Sequence, residues 1–173
     1  MYRLIRNAFL ISCLIGLFVY AVYPVAPPRL MTPSGYAEYE ISGQPPDAGF
    51  VDTMQQYSRL DYQAESMKPF VNPFAAVPSL HFGWAFLIGI AVLLARRHLL
   101  GLLFAVAMPV LMFFGVVLTA NHFIFDAVTG FAVCLFALGL AALLDRYPVP
   151  WRRLASQLRL RSRPLGLLQP EQD

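Results

Sequence analysis

Four uninterrupted apolar stretches, each close to twenty residues long, constrain this chain more than any other feature. They cover about residues 8–25, 75–95, 99–120 and 123–144. The first and third carry no charge, the second ends just before Arg96 and Arg97, and the fourth holds one acid, Asp126. About 20 apolar residues in a helix cross a hydrocarbon core of roughly 30 Å. Water is missing from that core, so each segment must satisfy its own backbone hydrogen bonds, and that selects helix. Of the 173 residues 58% are hydrophobic and 13% charged. A soluble domain carries about 25% charged residues, so this surface is too poor in charge to face water. The expected fold is all-α, a polytopic transmembrane helical bundle with four spans over residues 1–147, followed by a basic tail over 148–173.

Arg3 and Arg6 ahead of the first apolar run would suit a cleaved leader. However, Tyr20, Tyr23, Pro24, Pro27 and Pro28 occupy the place of a small-residue cleavage site, so a retained helix is expected. With four spans, both termini lie on one side. That side holds ten arginines (Arg3, Arg6, Arg96, Arg97, Arg146, Arg152, Arg153, Arg159, Arg161 and Arg163), against Arg29, Arg59 and Lys68 on the other. The excess marks the termini as cytoplasmic, in a multi-pass protein of the cell membrane. The long connection 26–74 then faces outward, as a loop expected to cover a site there. Residues 51–67 could form a short amphipathic surface helix. In the tail, Trp151, Leu154, Leu158 and Leu160 alternate with arginines, a pattern for an orienting segment at the lipid interface. Membrane lipids are the expected partners, and nucleic acid is not. Cys13 and Cys134 lie inside apolar runs and are expected to be packing thiols rather than a disulfide.

Chemistry is carried by polar groups at helix ends. Val77-Pro78-Ser79-Leu80-His81 is expected to open the second membrane helix, with Pro78 in its first turn. The N–H groups of that turn and the helix dipole form a phosphate seat, to which Ser79 adds a hydroxyl. Asn121-His122-Phe123-Ile124-Phe125-Asp126 opens the fourth helix. His122 and Asp126 are four apart and share a face, so the carboxylate can accept the imidazole N–H and fix its tautomer. An acid inside a membrane segment is costly and points to function. Thr129 and Gly130 follow, small enough for close helix approach. The second and fourth helices run in the same direction, so both motifs lie at the outer face, level with Arg29. Two histidines, a carboxylate, a hydroxyl and an arginine make an inventory for phosphoryl transfer through a phosphohistidine. One histidine attacks phosphorus, the acid orients it, and the other histidine protonates the leaving oxygen. His98, beside Arg96 and Arg97, reads as interfacial only.

Pro78-Ser79-Leu80-His81 followed by Asn121-His122 and Asp126 resembles the type 2 phosphatidic acid phosphatase superfamily. More narrowly it is similar to the branch of inositol phosphoceramide synthases and their bacterial relatives, as is Tyr23-Pro24-Val25-Ala26-Pro27-Pro28-Arg29. The resemblance spans about residues 3–144. It implies that His122 is the nucleophile, Asp126 its orienting partner and His81 the general acid. It also implies that Ser79 and Arg29 bind the substrate phosphate, with no metal and no cofactor. The implied substrate is a lipid phosphate or phosphoinositol lipid. The superfamily's first motif, a Lys seven residues before Arg-Pro, is absent, since Arg29 precedes Leu30. The family core has six membrane helices, so this chain resembles part of one. The remaining pair is expected upstream of Met1 or from a second copy in a homo-oligomer. The competing classes are an inactive or partner-dependent membrane scaffold and a membrane protein that binds haem or a metal through His81 and His122.

Overall fold

In the computed structural model the described residues are 1–33, 49–50, 72–95 and 98–146. The amphipathic segment expected at 51–67 and the basic tail 148–173 lie outside them. Helix α1 spans Tyr2–Val22, α2 Leu80–Ala95, α3 Leu99–Leu118 and α4 Ile124–Arg146, and a short 3-10 helix covers Pro28–Leu30. Among the described residues three helices, α1, α3 and α4, are long and apolar enough to cross a membrane, and α2 is a shorter apolar helix. Between the charged ends of these three, the outward surfaces are largely apolar, with Leu14, Phe18, Leu111, Leu118, Phe125 and Phe136 all exposed. Apolar exposure on this scale suits lipid rather than water.

The second apolar stretch departs from its expected span. It becomes helical only at Leu80, whereas 75–79 stays non-helical and bends at Val77 and Pro78. Backbone partners outside the helix pin this segment near both ends. Val25 donates to Phe74 at 2.7 Å, Ala76 donates to Val25 at 3.2 Å, and Ser79 donates to the Asp126 carbonyl at 2.8 Å. Val25 and Ala75 thereby form a parallel bridge. Pro78 therefore precedes the helix instead of sitting in its first turn. Ser79 occupies the N-cap position, its carbonyl accepting from Gly83 N–H at 3.1 Å.

Helix α2 is central and packs against α1, α3 and α4, while α1 also packs along α4. Small residues let backbones meet at these crossings. A Cβ on Gly83 would strike Cys134 Sγ and the Gly130 carbonyl, and one on Gly89 would strike the Ala105 carbonyl at 2.7 Å. That carbonyl lies four residues before Pro109, inside α3. Proline has no N–H to give it, so the α2 backbone approaches at the point where the α3 ladder is interrupted. Ala8, Leu87, Cys134 and Ala141 form the core, with Leu4, Phe9, Ile11, Trp84 and Leu138 packed around it. One polar link crosses this apolar layer: Trp84 Nε1–H donates to Ser12 Oγ at 3.1 Å, and Ser12 Oγ donates to the Phe9 carbonyl at 2.9 Å. Cys13 and Cys134 are free thiols.

Candidate active site

The site lies where the N-terminal ends of α2 and α4 meet the C-terminal end of α1. The turn that delivers α4 is set by the end of α3. Ala120 N–H bonds to the Val117 carbonyl and Asn121 N–H to the Val116 carbonyl, both at 3.0 Å. These are the two bonds of a Schellman cap, which requires a left-handed residue after the C-cap. Ala120 supplies it with φ +53°. His122 N–H also bonds to the Val116 carbonyl, at 3.0 Å, which fixes the backbone from which the imidazole projects.

His122 is 6% exposed and Asp126 1% exposed. Nδ1 of His122 lies 2.8 Å from the Ala76 carbonyl oxygen and 3.5 Å from Asp126 Oδ2. A carbonyl oxygen can only accept, so Nδ1 carries the proton, and in the neutral ring Nε2 keeps the lone pair. Nε2 faces His81 Nδ1 at 3.4 Å, with the two ring centroids 5.6 Å apart. The Asp126 carboxylate is therefore not the nearest partner of the imidazole. Its Oδ2 accepts the Phe123 N–H at 2.8 Å, as an acid at the third helical position does when it caps its own helix. Its side chain remains a buried acidic group one turn below His122.

Ser79 is 0% exposed, and its Oγ has no hydrogen-bond partner among the described residues. Its backbone lies directly on Gly130, where any Cβ would collide with the Ser79 carbonyl. The glycine is thus what lets the α2 N-terminus sit beside Asp126. A buried hydroxyl with no partner is costly, and such groups belong where a ligand oxygen completes them. Arg29 reaches the same end of the bundle through its backbone: its N–H donates to the Ala120 carbonyl at 2.8 Å, two residues before His122. Its Nε is buried.

The structure thus gathers His81, His122, Asp126, Ser79 and the Arg29 backbone at one end of the bundle.

Four contacts lie outside what the sequence predicts. The Ala76 carbonyl is a backbone group and leaves no mark in side-chain chemistry. Tyr20 donates its hydroxyl to the Pro78 carbonyl at 2.6 Å. Its signal was a phenol inside an apolar helix, where the O–H needs a partner. Phe50, from the long loop, meets Phe123 edge-on at 6.0 Å between centroids, next to His122. His98 caps α3, its Nδ1 accepting from Gly101 N–H at 3.1 Å.

The family model described as the PAP2 superfamily matches residues 1–140 of the chain. No curated protein matches it, and no solved structure does.

Proposed function

The chain belongs to the PAP2 superfamily, a phosphatase-type family, and we propose that it is a membrane-embedded phosphatase or phosphotransferase acting on a lipid-linked phosphate ester. One observation carries this reading: the lone pair of His122 Nε2 is turned toward His81 Nδ1, 3.4 Å away, at the same end of the bundle as the buried Ser79 hydroxyl, which has no hydrogen-bond partner among the described residues. His122 attacks phosphorus through Nε2 while Nδ1–H stays on the Ala76 carbonyl. The exposed ring of His81 swings aside to admit the phosphoryl group and protonates the leaving oxygen, so that the ester bond breaks as the P–N bond forms. An acceptor hydroxyl then attacks the phosphohistidine, giving its proton to His81, and His122 returns as the free imidazole. Water as acceptor gives hydrolysis, and a sugar or inositol hydroxyl gives transfer. Ser79, the first-turn amides of α2 and Arg29 neutralise the phosphate oxygens. The buried Asp126 carboxylate offsets the positive charge that His122 acquires.

Two further parts of the reading rest on the sequence. The Pro78-Ser79-Leu80-His81 motif supports the inositol phosphoceramide synthase-like branch, and the arginine distribution supports a site on the outer face of the cell membrane. The test is turnover by purified protein in detergent, supplied with a panel of lipid phosphates and phosphoinositol lipids. Phosphate release is measured, lipid products are separated by thin-layer analysis, EDTA is present and His122→Ala runs alongside. Turnover that resists EDTA and is lost in His122→Ala is expected, and the products distinguish hydrolysis from transfer. Turnover equal in both proteins would overturn the reading.

A further inference from the structure

We infer that Tyr20 is a positioning residue for the phosphoryl-transfer site, holding the segment 76–79 that carries both the carbonyl bound to His122 and the hydroxyl of Ser79. The inference rests on the function proposed above, but its geometry stands separately. The Tyr20 hydroxyl donates to the Pro78 carbonyl at 2.6 Å, across 58 residues of sequence. One hydroxyl on α1 therefore holds the residue directly before Ser79.

The rest of the segment shows why this bond matters. Ala76 is tied to Val25 and Ser79 to the Asp126 carbonyl, so both ends are fixed by their N–H groups. Pro78 lies between them, fully buried, and has no N–H to contribute. Its carbonyl is its only backbone handle, and Tyr20 holds it. Without that bond the buried carbonyl has no water to turn to and would tilt the peptide toward another donor. The same peptide unit begins Ser79, and Ala76 is two residues away. A tilt therefore moves the phosphate-binding hydroxyl and the acceptor of the His122 proton together. Misplacement on the ångström scale is enough to slow transfer even when substrate still binds.

The experiment uses the full chain in detergent with Tyr20→Phe, which keeps the ring and removes only the hydroxyl. Tyr2→Phe, an exposed change at the far end of α1, is the control. The chain has three histidines, so 15N-histidine spectra can be assigned with His81→Gln, His98→Gln and His122→Gln. In the native protein His122 is expected as a single tautomer with the proton on Nδ1. In Tyr20→Phe the His122 signals are expected to shift toward a mixture of tautomers. kcat is expected to fall about tenfold, the effect of one misplaced hydrogen bond, with KM changed less than about twofold, as for an interaction felt in the transition state. Tyr2→Phe should leave both readouts unchanged. A Tyr20→Phe protein with unaltered His122 signals would overturn the inference, even if its melting temperature fell, because Tyr20 would then be supporting the fold alone. The spectra do not depend on turnover. If the native protein proved no more active than His122→Ala, the proposed function would fail while the histidine signals still decided the role of Tyr20.

Discussion

The imidazole of His122 gives its Nδ1 proton to the carbonyl oxygen of Ala76, 46 residues earlier, at 2.8 Å. The pairing joins the start of α4 to the non-helical segment ahead of α2. The two halves of the site are therefore locked together by the same bond that sets the tautomer. A backbone carbonyl is well suited to this: it cannot donate, so it admits only the tautomer whose Nε2 is nucleophilic.

Division of labour between Ala76 and Asp126 gives the first expected outcome. In catalytic triads where a carboxylate alone holds the imidazole, amide replacement costs about 10⁴-fold through the wrong tautomer. Here Asp126→Asn can keep its oxygen on the Phe123 N–H, and Ala76 still selects the tautomer. What is lost is the charge below His122, an interaction of about 1.5–3 kcal/mol, or roughly 10–150-fold in kcat. A loss near 10⁴-fold in a folded Asp126→Asn protein would show that the carboxylate governs the tautomer.

Two glycines of α4 should behave in opposite ways. A Cβ at Gly130 meets the backbone of Ser79, whereas one at Gly139 meets nothing within 4 Å. Backbone cannot yield as a flexible side chain can, so Gly130→Ala should cost about 1–3 kcal/mol and displace Ser79 from the site. Gly139→Ala lies on an open face and should gain about 0.5–1 kcal/mol of helix propensity. Thermal unfolding in detergent should order them Gly130→Ala, native, Gly139→Ala, from lowest to highest. Equal stability of the two variants would contradict the close approach of α2 to α4.

Much of this site was legible because membrane insertion leaves few polar groups to choose among. An acid in an apolar run and two histidines at helix starts stand out against hydrocarbon, and their convergence followed from the run directions alone. The four apolar stretches were equally plain. What escaped was carried by the main chain. Nothing in Ala75 or Ala76 signals that they extend rather than coil, because the bridge to Val25 is a tertiary pairing. Nor does the i, i+4 spacing of His122 and Asp126 reveal that the carboxylate turns to its own helix's N–H while a distant carbonyl takes the imidazole. Gly130 is legible as a small residue suited to close approach, but its contact, the Ser79 backbone, depends on where α2 begins.

Ala120 carries a cost that can be removed. It fills the left-handed position of the cap between α3 and α4 with φ +53°, where an L-residue is disfavoured by about 1–2 kcal/mol. Glycine takes this conformation freely but gives up more chain entropy on folding. The balance for Ala120→Gly is about 0.5–1 kcal/mol in favour of the folded state. A rise in melting temperature of a few degrees is expected, with kcat unchanged because the backbone path to His122 is the same. A fall in melting temperature would mean that the Ala120 methyl contributes packing that outweighs its backbone strain.

The link between Ser12 and Trp84 should reveal itself through non-additivity. Ser12 Oγ, fully buried, accepts the indole N–H of Trp84 at 3.1 Å. Ser12→Ala removes the acceptor and strands that N–H in an apolar layer, at about 1–3 kcal/mol. Trp84→Phe removes the donor and some packing, yet Ser12 keeps its bond to the Phe9 carbonyl, so the hydroxyl is not stranded. In the double variant neither side has a polar group to satisfy. Its destabilisation should be smaller than the sum of the two single changes by about 0.5–2 kcal/mol, within the range for residues in contact. The measurement is a thermal or denaturant unfolding cycle in one detergent, with Tyr2→Phe as an unlinked partner whose effect should simply add. Strict additivity for Ser12→Ala and Trp84→Phe would show that the indole finds another acceptor, and that α1 and α2 are joined at this depth by packing alone.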